Sequence, residues 1–152
     1  MINVDVLSED NKWSKKIKTK HFFHSICKAF PKKYQFIDKK IFFTVMLSNN
    51  SKIKKLNKQF RNKNKVTDIL SFPFQKKTIV KNKSHLGDII ISYNFMNKPK
   101  NQSVKLFKDK VIKTFIHGFL HLLGFDHVNL KDYKKMLKEE HNIYKSVIKK
   151  ID

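Results

Sequence analysis

Phe115-Ile116-His117-Gly118-Phe119-Leu120-His121-Leu122-Leu123-Gly124-Phe125-Asp126-His127 is the stretch on which the reading of this chain turns. As far as Leu123 it is apolar nearly all round, the pattern of a helix buried at the centre of a fold. Val104, Phe107, Val111 and Phe115 continue one apolar stripe upstream, so a long helix is predicted over 101–123. His117 and His121 stand one helical turn apart and project from the same face. Gly124 can take the left-handed conformation that ends a helix, and the reversal returns His127 toward the first two rings.

A lone histidine on an apolar helix is more often a hydrogen-bonded core residue than a ligand. Here three of the seven histidines fall between residues 117 and 127 at ligand spacing, and three unpaired imidazoles beside Phe115 and Leu120 would be costly to desolvate. The expectation is one divalent ion per chain, zinc, held by His117, His121 and His127. Three protein ligands leave a fourth position for water, as in catalytic sites. The spacing H-x3-H-x2-G-x2-H is that of the metzincin proteases, whose general-base glutamate would fall at position 118. This chain has Gly118 there, so the protease base is missing.

Working outward, Ile2, Val4 and Val6 alternate with polar residues and predict a strand over 2–7. Residues 12–30 read as helical, closing before Pro31. Trp13 and Ile17 do not share a stripe with Phe22, Ile26 and Phe30, so a break near residue 20 is open. The apolar run 41–47 predicts a strand covered on both faces. Ile53, Leu56 and Phe60 predict a short amphipathic helix. Strands follow over 67–74 and 86–92, with Pro73 placing the first at a sheet edge and the Lys-rich stretch 75–85 as the loop between them. A last helix spans about 131–148 on Met136, Leu137, Ile143, Tyr144 and Val147. The order β-α-β-α-β-β-α-α implies an α+β fold: one domain over 1–152, with a mixed sheet of about four strands packed against helices and a zincin-like metal helix.

Composition narrows the function. Lys plus Arg number 34 against 12 Asp plus Glu, a net charge of +22, which favours a polyanionic partner. Nucleic acid is preferred and an anionic membrane surface is the alternative. The chain is also rich in Lys, Ile, Asn and Phe with 3 Gly and 3 Pro, so part of the charge is what an AT-rich genome would impose on a solvated surface. One cysteine, Cys27, excludes an internal disulfide and reads as a buried, inert thiol among Phe23, Ile26 and Phe30. No apolar stretch approaches the roughly 20 residues of a membrane span, and the start carries no secretory signal pattern. A soluble, cytoplasmic protein is expected.

The histidine block, with Leu56-Asn57-Lys58-Gln59-Phe60-Arg61, Thr67-Asp68-Ile69-Leu70-Ser71-Phe72-Pro73 and Leu86-Gly87-Asp88-Ile89-Ile90-Ile91-Ser92, resembles the YbeY family of bacterial rRNA-maturation endoribonucleases. The family commonly has Tyr where this chain has Phe60, which keeps the ring and drops a hydroxyl. The resemblance implies a zinc-like ion on the three histidines and single-strand-specific RNA cleavage. It also implies a part in 16S rRNA 3′-end maturation and ribosome quality control, with rRNA and the small ribosomal subunit as partners. The family's important arginine falls on Arg61.

Arg61 stands among Lys52, Lys54, Lys55, Lys58, Lys63 and Lys65 with no acid between them. Its guanidinium matches phosphate bidentately, which lysine cannot do. A solvated surface arginine is the bland alternative. Arg61, Lys58 and Lys63 are the candidate substrate-binding residues. Arg61 and Asp126 are the candidate catalytic ones. Asp126 either orients a ligand histidine, which weighs more, or takes a proton; a helix-end turn role also stays open. Asp68 and Asp88 read as strand-end or locally hydrogen-bonded acids, His85 as exposed, and Phe72 and Phe74 as core rather than as base-stacking surface. The rival functions are a metalloprotease-like hydrolase and a non-catalytic ribosome assembly factor with a structural metal.

Overall fold

Alternation builds the first strand: Val4 and Val6 are buried while Asn3 and Asp5 stay exposed along β1 (Ile2–Ser8). The structure, a computed structural model, describes residues 1–75 and 80–151. The apolar run becomes β2 (Lys40–Ser48), with Ile41, Phe43, Val45 and Leu47 buried on one face and Phe42, Thr44 and Met46 partly covered on the other. Between the two strands lie α1 (Lys12–Lys16) and α2 (Thr19–Lys28). The break comes at the extended residue Ile17, where the Trp13–Ile17 face gives way to that of Phe22 and Ile26.

After β2 come α3 (Asn50–Arg61), β3 (Ile69–Pro73) and β4 (Lys83–Ser92). The Asn49 side chain accepts from the Lys52 N–H and caps α3, satisfying one of its free amides. The sheet order is β1-β2-β4-β3: β1, β2 and β4 run parallel, and β3 is antiparallel to β4. This is the expected mixed sheet of four strands, with Pro73 on the edge strand. β4 starts earlier than the sequence suggested. Lys83, Ser84 and His85 pair with Lys40, Ile41 and Phe42, and such backbone pairing needs no apolar side chains. The loop expected over 75–85 is therefore shorter, and residues 76–79 lie outside the described residues.

The short α4 (Tyr93–Met96), which the sequence did not announce, leads toward α5 (Val104–Leu122), opened by the Ser103 side chain accepting from the Leu106 N–H. Phe115 and Phe119 on α5 are fully buried against Phe23, Phe30 and Phe43, and Phe107, toward the other end of the same helix, against Trp13 and Tyr93. Each such ring contributes on the order of 1.5–3 kcal/mol by leaving water. α6 (Leu130–Lys150), capped by Asn129, packs along α5 through Met136, Ile143 and Val147.

The opposite face of the sheet carries a smaller cluster. Ile53 of α3 packs on Leu70 and Ile90, with Met46, Leu56 and Phe72 around it. Phe72 is thus only partly buried. Phe74 is exposed, against the expectation of a core role, and lies on the exposed His85 ring at a centroid distance of 4.5 Å.

Candidate metal centre

The last turn of α5 assembles most of the site. Gly124 adopts φ +97°, its N–H donates to the His121 carbonyl, and the Phe125 N–H donates to the Leu120 carbonyl. These paired bonds are a Schellman ending, which satisfies carbonyls a helix end would otherwise leave free. The same reversal turns the Phe125 carbonyl back to accept from His121 Nδ1 at 2.9 Å. His127 follows, and one ring nitrogen each from His117, His121 and His127 lie within 4.8 Å of one another. The three rings predicted to converge do so.

Ring tautomers follow from their partners. A carbonyl oxygen only accepts, so His121 Nδ1 carries the hydrogen of the neutral ring. His117 Nδ1 meets Glu140 Oε1 at 2.9 Å, and an ionised carboxylate likewise only accepts. With both rings neutral, as metal ligation requires, each Nε2 presents a lone pair, and the two face each other at 3.1 Å. Two lone pairs so placed repel unless a proton or a metal cation lies between them. Nitrogens about 2.0–2.1 Å from one tetrahedral ion lie about 3.3 Å apart, close to the separation observed. Burial, then the neighbouring His117 and His127, holds the His121 pKa below its ordinary 6.5, so the ring stays in its neutral, ligating form. The donor set fits a divalent ion, and nothing in it selects zinc over another borderline metal.

Glu140 escaped the sequence reading. One signal was present: two adjacent acids, Glu139 and Glu140, stand where the stripe of Met136, Ile143 and Val147 would continue, Glu139 buried and Glu140 half-buried beside it. Glu139 is taken by Lys33 and Tyr34, and Glu140, on the side that meets the histidine helix, orients His117. Asp126, the acid singled out from sequence, instead accepts the His127 backbone N–H at 2.7 Å and so shapes the turn.

A cavity of about 500 Å³ opens over the histidines, lined also by Arg61, Asp68 and Asp126. Arg61 comes from the end of α3, where Asn62 takes a left-handed conformation and turns the chain away. Its guanidinium donates to the Ser71 carbonyl at 3.2 Å and lies 5.9 Å from the Phe72 ring centre. Residues distant in sequence are thus brought to one cavity. Lys58 and Lys63 are exposed and are not among the described residues that line it. Asp68 accepts from its own neighbours, the Ile69 N–H and the Thr67 hydroxyl. Asp88 lies inside β4 rather than at a strand end, and no hydrogen bond or ion pair of its carboxylate is found among the described residues.

Gly118 explains the missing protease carboxylate. A Cβ there would meet Ile69 Cδ1 at 2.6 Å, Ser71 Oγ at 3.1 Å and Ile89 Cγ2 at 3.3 Å. α5 lies against β3 and β4 at this point, so a side chain here fits only if the end of Ile69 and its neighbours shift.

Residues 4–148 match the protein family described as Endoribonuclease YbeY. The chain belongs to the YbeY family. A relative named Endoribonuclease YbeY from Pelagibacter ubique is 66% identical over 152 residues, covering 99% of both chains. One of the same name from Aliarcobacter butzleri is 40% identical over 101 residues, covering 66% of this chain and 70% of its own length. In three dimensions the chain resembles the solution structure of TM1509 from Thermotoga maritima. The TM-score is 0.60 at 25% identity, covering 95% of this chain and 89% of that one. Membership in YbeY makes this chain an RNA-cleaving hydrolase with RNA as its substrate class. Among the described residues, no helix is long and apolar enough to cross a membrane.

Proposed function

We propose that this chain is a zinc-dependent, single-strand-specific endoribonuclease that acts in the cytoplasm on the 3′ end of small-subunit rRNA and in ribosome quality control. The observation that carries the reading is the convergence of His117, His121 and His127 in a cavity that also admits Arg61. A bound divalent ion supplies a Lewis acid that polarises a phosphoryl oxygen. The chain's own residues do the rest. Glu140 and the Phe125 carbonyl fix two imidazoles so that their Nε2 atoms face the ligand position. Arg61 holds the scissile phosphate, its guanidinium aimed by the Ser71 carbonyl. Asp126 spends one oxygen on the His127 N–H, and the other takes the proton of the attacking group. Lys58 and Lys63 guide the strand from outside the cavity.

Single-turnover cleavage of single-stranded RNA tests this, run beside unstructured protein and with or without chelator. RNA cut only in the presence of metal supports the reading, and proteolysis would overturn it. Product ends separate the routes of attack: a cyclic phosphate points to the 2′-hydroxyl, and its absence to water. The assembly-factor reading is tested by His121→Ala. Folding and RNA binding that persist while cleavage stops make the ion's role catalytic.

A further inference from the structure

β3 presents two faces to two different recesses. Ile69, Ser71 and Pro73 line the metal cavity. Phe72 points the other way, into a groove of about 950 Å³ between α3 and the outer face of the sheet. That volume lies at the upper end of the roughly 300–1,000 Å³ typical of small-molecule sites. Phe60 stands over the groove 61% exposed, edge-on to Phe72 with ring centres 5.5 Å apart. An open aromatic pair is costly to leave in water and offers π-faces to a flat ligand.

Charge around the groove is sorted. Lys52 and Lys55 of α3 lie on its wall, Lys52 paired with Glu9. Asp88 lies on the floor directly across from Phe72 in the β3–β4 register, its carboxylate without a partner among the described residues. A carboxylate there repels phosphate, and Glu9 offsets the charge of Lys52, so Lys55 and Arg61 are left to attract it. A ligand with an uncharged flat part inside and anionic groups outside fits this division. Arg61 links the recesses: it lines the metal cavity while its guanidinium lies 5.9 Å from the Phe72 ring centre.

Resting on the endoribonuclease reading, we infer that the groove is a base-binding subsite. It takes an unstacked nucleobase of the same RNA strand whose neighbouring phosphate lies at Arg61. The base stacks on Phe60 and Phe72, and the strand crosses the β3 edge between the recesses. Stacking on an aromatic side chain is tolerant of sequence. A second copy of this chain is a poor occupant, because each copy carries +22 of charge.

The test uses the full, metal-loaded chain and a short single-stranded 2′-O-methyl phosphorothioate strand that resists cleavage, with affinity read by fluorescence anisotropy. Phe60→Ala removes a ring that is mostly in solvent and leaves the core intact, which an unchanged melting temperature verifies. It weakens binding of the intact strand about 5- to 150-fold, and Phe60→Tyr binds as the parent does. Strands with one abasic position, scanned along the sequence, show the same loss at one position in the parent and no further loss in Phe60→Ala. Photo-crosslinking from 5-iodouracil at that position labels Phe60 or Phe72.

Equal affinity of Phe60→Ala and parent for the intact strand overturns the inference. So does a parent dimer in sedimentation that Phe60→Ala dissolves, which would make the groove a contact between copies. Cleavage of unmodified RNA by the parent reads the nuclease assignment separately. Normal cleavage with no Phe60 effect sinks only the groove. Base-dependent binding without any cleavage sinks only the nuclease.

Discussion

Glu140→Gln is the substitution that most directly tests how the metal centre is held. The carboxylate accepts from His117 Nδ1 at 2.9 Å, on the side of the ring away from the Nε2 that faces His121. An ion at that Nε2 would lie on the order of 6–7 Å from the carboxylate, from the ring's span plus a bond of about 2.0–2.1 Å. Glu140 is partly open to water, its side chain 27% exposed. An effective dielectric of roughly 40–80 then gives about 1–3 kcal/mol between a divalent ion and the carboxylate. That corresponds to about 10- to 100-fold in affinity, the range found for orienting partners of metal-bound histidines. Glutamine keeps an acceptor and loses the charge, so its effect belongs at about 10-fold. Alanine loses both and belongs near 100-fold. Competition against a chromophoric chelator measures the metal Kd, and melting of the metal-free chain provides the control. Metal affinity within about twofold of the parent for both variants would refute the assignment. So would an equal loss of stability in the metal-free chain, which would make Glu140 a packing residue.

Gly118→Ala forces the Ile69 side chain or the α5–β3 spacing to give way, costing about 1–3 kcal/mol in denaturant melts; Gly118→Glu, the protease-like residue, costs more than Gly118→Ala in the same melts. Arg61→Lys leaves folding intact, because the residue is exposed. It lowers kcat/KM on single-stranded RNA by roughly 10- to 100-fold, since lysine keeps the charge and loses the bidentate fork. Glu139 is held below its ordinary 4.5 by hydrogen bonds first from Lys33 and then from Tyr34. A carboxylate whose folded pKa is depressed stabilises the fold above 4.5 and loses that contribution as pH falls through the folded value. Stability of the parent should thus drop on acidification below 4.5 more steeply than that of Glu139→Gln, read by melting temperature against pH.

What the sequence made legible is what short-range periodicity encodes. His117, His121, Gly124 and His127 lie within one helix end and its turn, so their geometry is local and their spacing predicts it. Pro73 announced an edge strand because a missing N–H is a property of one residue. The change of stripe between Trp13–Ile17 and Phe22–Ile26 announced a broken helix, although the break came at Ile17 and not near residue 20. Long-range pairing was not legible. The first residues of β4 owe their extension to β2, and nothing in Lys83-Ser84-His85 itself is strand-like. Glu140 meets His117 across 23 residues through the packing of α6 on α5, a contact that neither helix declares alone. The choice of Gly118 looked like a missing function and is equally a matter of fit against Ile69.

Because successive side chains of β3 serve opposite sides, the alignment of β3 against β4 is shared by everything on that edge. A slip by one residue would swap Ser71 and Phe72 between the recesses. Gly87 guards against it. At φ +140° it lets the Phe72 carbonyl come so near that an added Cβ would sit 2.2 Å from the oxygen. A substitution at this single glycine, remote in sequence from every histidine, would misalign both sides of the edge together.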